Sequence, residues 1–365
     1  MVIAAFCLLA GGVFLLPIVR SGPGTSNFET GWLVLHTVAL GALAWVMPSP
    51  WLALGFAWLA VLPWWVVGGA LAGVVPAAAT LPAQLFQGLF CALAGVGLLA
   101  VRAAWTPTAW DRLAVVWIAW CLASVALAEV QHHRPAVYAL LGRLGLGIRP
   151  GYPPPGLFGN PPMAAWGYGW AVLSAVALGG WWWAAVVPLS LGVARTRNHA
   201  AVAATVPVLV WMVCARVPDI AWAVPSAAGA AAVITGHLCW DRLRTPVGCR
   251  WTVLRVLGRF VREMRGWGAG LGAWAERGIF WGPGPTIDNA QHWSTAHNEW
   301  AQALYEGGPV LVVAAVGVVF QGLLAPAPLL AHAALAYTAL YALVYDPCHH
   351  IGQAALAVLA VGGCA

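Results

Sequence analysis

The densest polar run of the chain, Asp288, His292, His297, Asn298, Glu299, Gln302 and Glu306, stands just before an apolar span. With a helix beginning near Thr295, the side chains of Asn298, Gln302 and Glu306 recur at i, i+4 and i+8 and form one stripe, with His297 at its start. An imidazole with a carboxylate and an amide nearby is suited to accept a hydroxyl proton near neutral pH, so His297 is a candidate general base. The same residues also suit a plainer role, capping the helix and wetting its end.

Upstream, the stretch Arg250–Arg265 reads RWTVLRVLGRFVREMR. On a helix, Arg255, Arg259 and Arg262 share one face with Arg265 at its edge, while Leu254, Leu257, Val261 and Met264 occupy the other. That is the pattern of an amphipathic helix lying in a membrane interface. Arg250 projects onto the apolar side, where a guanidinium needs an anion or a carboxylate; alternatively the helix starts after it and the side chain snorkels to water. All 17 basic residues are arginine. A biased genome can account for that, but guanidinium is also the group suited to planar, bidentate contact with phosphate. The glycines of Gly266–Gly272 permit close approach of backbone to a ligand, yet no strand or P-loop lysine accompanies them.

Metal chemistry is not expected. His292 and His297, and His349 and His350 with Asp346 nearby, match no recognised ligand spacing such as HExxH. His132 and His133 read as a solvated loop element. The 8 cysteines contain no CxxC pair, and Cys7, Cys91, Cys121 and Cys214 lie in apolar runs, as small packing residues do.

The elements that must position these groups are hydrophobic. Of the 365 residues 62% are apolar and only 8% charged, with a mean hydropathy of +0.81. A soluble domain carries about a quarter charged residues, so lipid must solvate most of this surface. The 24 tryptophans fit many membrane crossings, because indole favours the headgroup level. A spanning helix takes about 20 apolar residues. Candidate spans lie near 2–19, 30–47, 51–74, 84–101, 112–130, 162–179, 180–194, 199–215, 219–239, 308–325, 327–345 and 350–365. The expected fold is therefore all-α, a polytopic transmembrane bundle of 11–12 spans formed by one domain, 1–365. The first span, lacking a basic n-region and an A-x-A site, is expected to be retained.

Two connections are long enough to hold a site: 131–161, interrupted by Pro153-Pro154-Pro155-Gly156, and 240–307, which carries the amphipathic helix. With twelve spans both fall on one side, together with Arg20 and the Arg195–Arg197 turn, while Arg102, Arg112 and Arg216 fall on the other. If the amino terminus is cytoplasmic, the arginines accumulate outside, against the usual positive-inside bias. An anionic phospholipid or phosphorylated lipid there would account for them better than nucleic acid.

Several motifs together resemble the O-antigen ligase and polymerase superfamily. The string Ala296-His297-Asn298-Glu299-Trp300-Ala301-Gln302-Ala303-Leu304-Tyr305-Glu306-Gly307-Gly308 is similar to that family's AHN-x-x-L-Q-x-L-x-E-x-G signature. Arg265-Gly266-Trp267-Gly268-Ala269-Gly270 resembles its P-x-x-G-x-G turn, preceded by the Arg-Trp pair Arg250-Trp251. Thr196-Arg197-Asn198 resembles its T-x-S-R segment, Gly156-Leu157-Phe158-Gly159-Asn160-Pro161 its G-x-F-x-N-P-N loop, and Tyr345-Asp346-Pro347-Cys348-His349-His350 its final F-P-x-H stretch. Order and rough spacing agree from about residue 140 onward. Pro162, Thr196 and Ala301 depart from the family pattern.

The resemblance implies a multi-pass bacterial inner-membrane glycosyltransferase with its site facing the periplasm or the outside, and 131–161 and 240–307 as extracytoplasmic loops. It would move a glycan from an undecaprenyl-diphosphate carrier to an acceptor hydroxyl, with inversion, without metal or cofactor and without a nucleic-acid partner. Arg197 and Arg250 would engage the diphosphate and His297 would be essential. Asn298, Gln302, Glu306, Asn160, Trp251, Arg255 and Arg259 are the expected substrate-binding residues. The acceptor class is a glycolipid or glycan, foremost a lipid A core sugar. Polymerisation of repeat units and transfer to protein hydroxyls are alternatives within the family, and a membrane transporter is the alternative from another class.

Overall fold

The structure, a computed structural model, describes residues 25–71, 81–104, 106–134, 136, 139–140, 156–158, 161–216, 268–274, 298–343 and 351–364. Every regular element among them is helical. In chain order these are α1 (Thr25–Val46), α2 (Pro50–Leu71), α3 (Leu81–Ala104), α4 (Pro107–His133), α5 (Pro161–Leu178), a short 3-10 turn (Gly180–Trp182), α6 (Trp183–Arg195), α7 (His199–Arg216), α8 (Glu299–Leu324), α9 (Leu329–Tyr341) and α10 (Ile351–Cys364). As helices they lie where apolar spans were expected, although α8 starts at Glu299 rather than near 308, and α6, α9 and α10 have only 13, 13 and 14 residues. The spans expected at 2–19 and 219–239 lie outside the described residues, as does the amphipathic helix at 250–265.

Among the described residues three stretches, Ala83–Ala104, Pro107–His133 and Glu299–Leu324, are long and apolar enough to cross a membrane, and several shorter apolar helices accompany them. Trp45 (87% exposed) and Leu324 (84%) head a set of outward-facing large apolar residues. Such a surface marks contact with lipid or a partner rather than water.

The helices fall into two compact units. In the first, α2 packs on α1 and α8, and α3 on α1 and α10. Its core holds Leu40, Leu43, Phe56, Leu59, Leu62, Val66 and Leu89, with Leu271 from the segment 268–274. In the second, α5 packs against α4, α6, α7 and α9. A helix apolar on every side must be covered on every side, and each residue of α5 from Ala164 to Val176 is buried.

Helix starts follow from local chemistry. Thr106 caps α4, its hydroxyl accepting from the Ala109 N–H ahead of Pro107. Asn198 caps α7, its Oδ1 accepting from Ala200 N (2.9 Å) and Ala201 N (3.2 Å). Prolines inside helices free carbonyls that need new donors in an apolar medium. Pro63 in α2 leaves the Leu59 carbonyl without its N–H, and His36 Nε2 of α1 donates to it at 3.2 Å. Beside it, the Thr37 hydroxyl lies 3.2 Å from the Ala60 carbonyl.

Candidate functional site

In the first unit Gln302 and Glu306 share one face of α8 as their spacing predicts, but the helix starts at Glu299 rather than near Thr295, which leaves Asn298 outside it as the cap. Asn298 is extended (φ −160°, ψ 105°) and caps α8, its Oδ1 accepting from Ala301 N at 2.8 Å. Its Nδ2 donates to the Leu343 carbonyl at 2.7 Å, and Glu299 N donates to the Ala342 carbonyl at 2.9 Å. One and two turns on, Gln302 and Glu306 are buried. Gln302 Nε2 donates to Glu306 Oε1 at 3.1 Å, and the same oxygen accepts the backbone N–H of Trp274 at 3.1 Å. The Trp274 ring stands edge-on to Tyr305, centroids 5.6 Å apart.

Immediately after the stripe, α8 breaks. Gly308 takes φ 70°, ψ −175°, and Pro309 has no N–H for the Tyr305 carbonyl. Three successive carbonyls find substitutes: Ala269 N donates to Tyr305 O (2.8 Å), Gly270 N to Glu306 O (2.9 Å) and Trp58 Nε1 to Gly307 O (2.6 Å). The segment 268–270 can lie this close only with glycine at 268. Its φ is +91°, and a Cβ there would sit 2.6 Å from Glu306 O and 2.7 Å from Gly308 N. The glycine-rich turn thus meets the protein's own backbone at the break in α8.

The second unit carries Arg197 in the turn between α6 and α7. Its φ is 53°, and it is the sole non-glycine residue with positive φ among the described residues. A left-handed backbone costs an L-residue about 1 kcal/mol or more and persists only where its surroundings enforce it. Here the enforcement is visible on both sides. The Thr196 hydroxyl donates to Val193 O at 2.6 Å and accepts from Asn198 N at 3.4 Å, while Asn198 caps α7 and its Nδ2 donates to Tyr341 Oη at 3.5 Å. The Arg197 side chain is exposed. Two residues earlier, Arg195 pairs with Glu129, Nε to Oε1 3.2 Å, and His133 Nε2 lies 3.6 Å from the same carboxylate. That carboxylate compensates Arg195; no ion pair to Arg197 forms among the described residues.

The start of the 156–161 motif is docked in the same unit. Gln131 bonds Gly156 reciprocally, Nε2 to the carbonyl at 3.2 Å and Oε1 from the N–H at 3.1 Å. Ser124 Oγ accepts from Leu157 N at 2.9 Å and pairs with Tyr168 Oη at 2.8 Å. Phe158 stands edge-on to Trp117 and Tyr168. From α9, Tyr337 donates to Trp166 O and Tyr341 to Pro162 O, fixing the start of α5.

Of the sequence-predicted site residues, Gln302 and Glu306 come together on α8, Asn298 caps its start, and Arg197 is displayed on a constrained turn. His297, Arg250, Asn160, Trp251, Arg255 and Arg259 lie outside the described residues, as do His292, Asp346, His349 and His350. Among the described residues no group of three His, Cys, Asp or Glu side chains could hold a metal ion. Sequence reading missed Trp58, His36, Ser124 and Gln131. For His36 a signal existed in Pro63, which frees the Leu59 carbonyl that some donor must meet; for Trp58 there was only the Gly307-Gly308-Pro309 run, which marks a helix break without saying which donor answers the Gly307 carbonyl. For Ser124 and Gln131 there was none, since their partners lie on a distant loop. Set against known proteins, the chain matches no family model, no curated protein and no solved structure.

Proposed function

We propose that this chain is a multi-pass, metal-independent glycosyltransferase of the bacterial inner membrane, similar to the O-antigen ligases. It moves a glycan from an undecaprenyl-diphosphate carrier to an acceptor hydroxyl, foremost a lipid A core sugar. The observation that carries this reading is Arg197, an exposed guanidinium on a left-handed backbone that the adjoining hydrogen bonds enforce. Strained non-glycine residues cluster at functional sites, and an exposed guanidinium with no carboxylate on it among the described residues suits a diphosphate.

In this reading the acceptor oxygen attacks the anomeric carbon while the bond from that carbon to the diphosphate oxygen breaks. The electron pair leaves with the diphosphate, whose growing charge Arg197 and Arg250 stabilise, and His297 takes the hydroxyl proton. Attack opposite the leaving group inverts the anomeric centre. Asn298 caps the helix that follows His297. Gln302 and Glu306, engaged with each other and with Trp274, hold this helix rather than grip the sugar.

A broken helix is also a mark of transporters, which offer freed carbonyls to ions. In α8 the freed carbonyls of Tyr305, Glu306 and Gly307 each already accept a bond from the protein, which favours the transferase. The test is expression of the gene in a ligase-deficient Gram-negative strain. Restoration of the lipopolysaccharide ladder, lost again in Arg197→Ala and His297→Ala at normal protein levels, is the expected result. A full ladder in both variants would sink the mechanism.

A further inference from the structure

We propose that Trp58 is a positioning residue: its indole N–H holds the break of α8, and through that break the polar stripe Asn298–Glu306. Its role in the reaction rests on the transferase reading above; the hold itself does not. The indole reaches across 249 positions of sequence to the Gly307 carbonyl at 2.6 Å, at the short end for an N–H···O bond. Gly307 adjoins Glu306, whose carbonyl accepts Gly270 N and whose carboxylate gathers Gln302 and Trp274. Three donors therefore close the break, two from the backbone segment 268–270 and one from a side chain.

The turn that presents the indole is itself held. The residues after Trp58 are Leu59 and Ala60, whose carbonyls meet His36 Nε2 and the Thr37 hydroxyl of α1, the first because Pro63 cannot supply an N–H. The His36 ring lies directly against α3 at Gly88, where a Cβ would displace the ring. Trp64 Nε1 donates to Thr37 Oγ1 at 2.7 Å and closes the clamp. Two proline-disrupted helices, α2 and α8, are joined in this way by one hydrogen bond between a fixed turn and a freed carbonyl. Without that donor the Gly307 carbonyl lies in an apolar setting with one partner fewer, and the break opens more often.

The experiment replaces Trp58 in the full-length protein in lipid nanodiscs with benzothienylalanine, which keeps the bicyclic shape and removes only the N–H, and in parallel with phenylalanine. Hydrogen exchange at Ala269 and Gly270 is read alongside transfer kinetics from an undecaprenyl-diphosphate-linked glycan. The expected result is exchange at least tenfold faster at both amides and a kcat about tenfold lower, with the donor KM within twofold of wild type. With kcat taken per folded, monodisperse protein, an unfolded fraction does not account for the loss. Unchanged exchange in the isostere overturns the proposal, and so does faster exchange with kcat unchanged. Faster exchange in a protein whose wild type transfers nothing supports the hold and sinks the transferase reading instead.

Discussion

Trp274 donates its backbone N–H to Oε1 of Glu306, and with the Ala269 and Gly270 amides this bond ties the segment 268–274 to the helix carrying the polar stripe. The same oxygen accepts from Gln302. A carboxylate this buried is stable only when its neighbours supply donors, so the stripe is organised from within, around Glu306.

Glu306→Ala removes the acceptor for both donors and leaves Gln302 and the Trp274 amide short of a partner. We expect a loss of about 2–3 kcal/mol, since hydrogen bonds to a charged group are worth about 1.5–3 kcal/mol. Glu306→Gln keeps an oxygen at the same reach and should recover more than half of that. Thermal unfolding in detergent measures both; equal losses would show that the carboxylate charge itself is required.

Gly268→Ala should be more damaging than its size suggests. The new methyl meets backbone atoms at the α8 break that cannot swing aside, and φ is +91°. A cost above about 2 kcal/mol is expected, from strain and a forced contact together. A stability within experimental error of wild type would mean that the turn does not lie against Glu306–Gly308.

Arg197→Gly separates strain from chemistry. Glycine takes φ 53° freely, so the variant should be at least as stable as wild type, by up to about 1 kcal/mol once the greater freedom of unfolded glycine is discounted. Under the proposed mechanism it should nonetheless lose transfer at least about 100-fold, comparable to removing an electrostatic stabiliser of the transition state. Retained transfer would rule the guanidinium out of the reaction.

Glu129→Gln is expected to be nearly silent in stability. The Arg195–Glu129 pair is partly exposed, and such pairs contribute about 0–1 kcal/mol. Ser124→Ala should cost more, about 1–3 kcal/mol, because it strips the acceptor from the Leu157 N–H and one hydrogen-bond partner from Tyr168. Faster hydrogen exchange at Leu157 would locate the effect.

The sequence by itself determined the class of structure and much of its outline. Long apolar runs are legible as helices, and those at 30–47, 51–74 and 162–179 became α1, α2 and α5, while 84–101 and 112–130 fall in helices long and apolar enough to cross a membrane. The i, i+4 relation of Gln302 and Glu306 is likewise local and could be read directly, whereas the helix start at Glu299, with Asn298 as its cap, was not placed by spacing. What those side chains touch could not be read this way. That Glu306 holds the Trp274 amide, that the glycine turn closes a helix break, and that Trp58 supplies the third donor all depend on partners 32 to 249 residues away. Proline announces that a carbonyl is freed, but only the packing of separate helices decides which donor answers it.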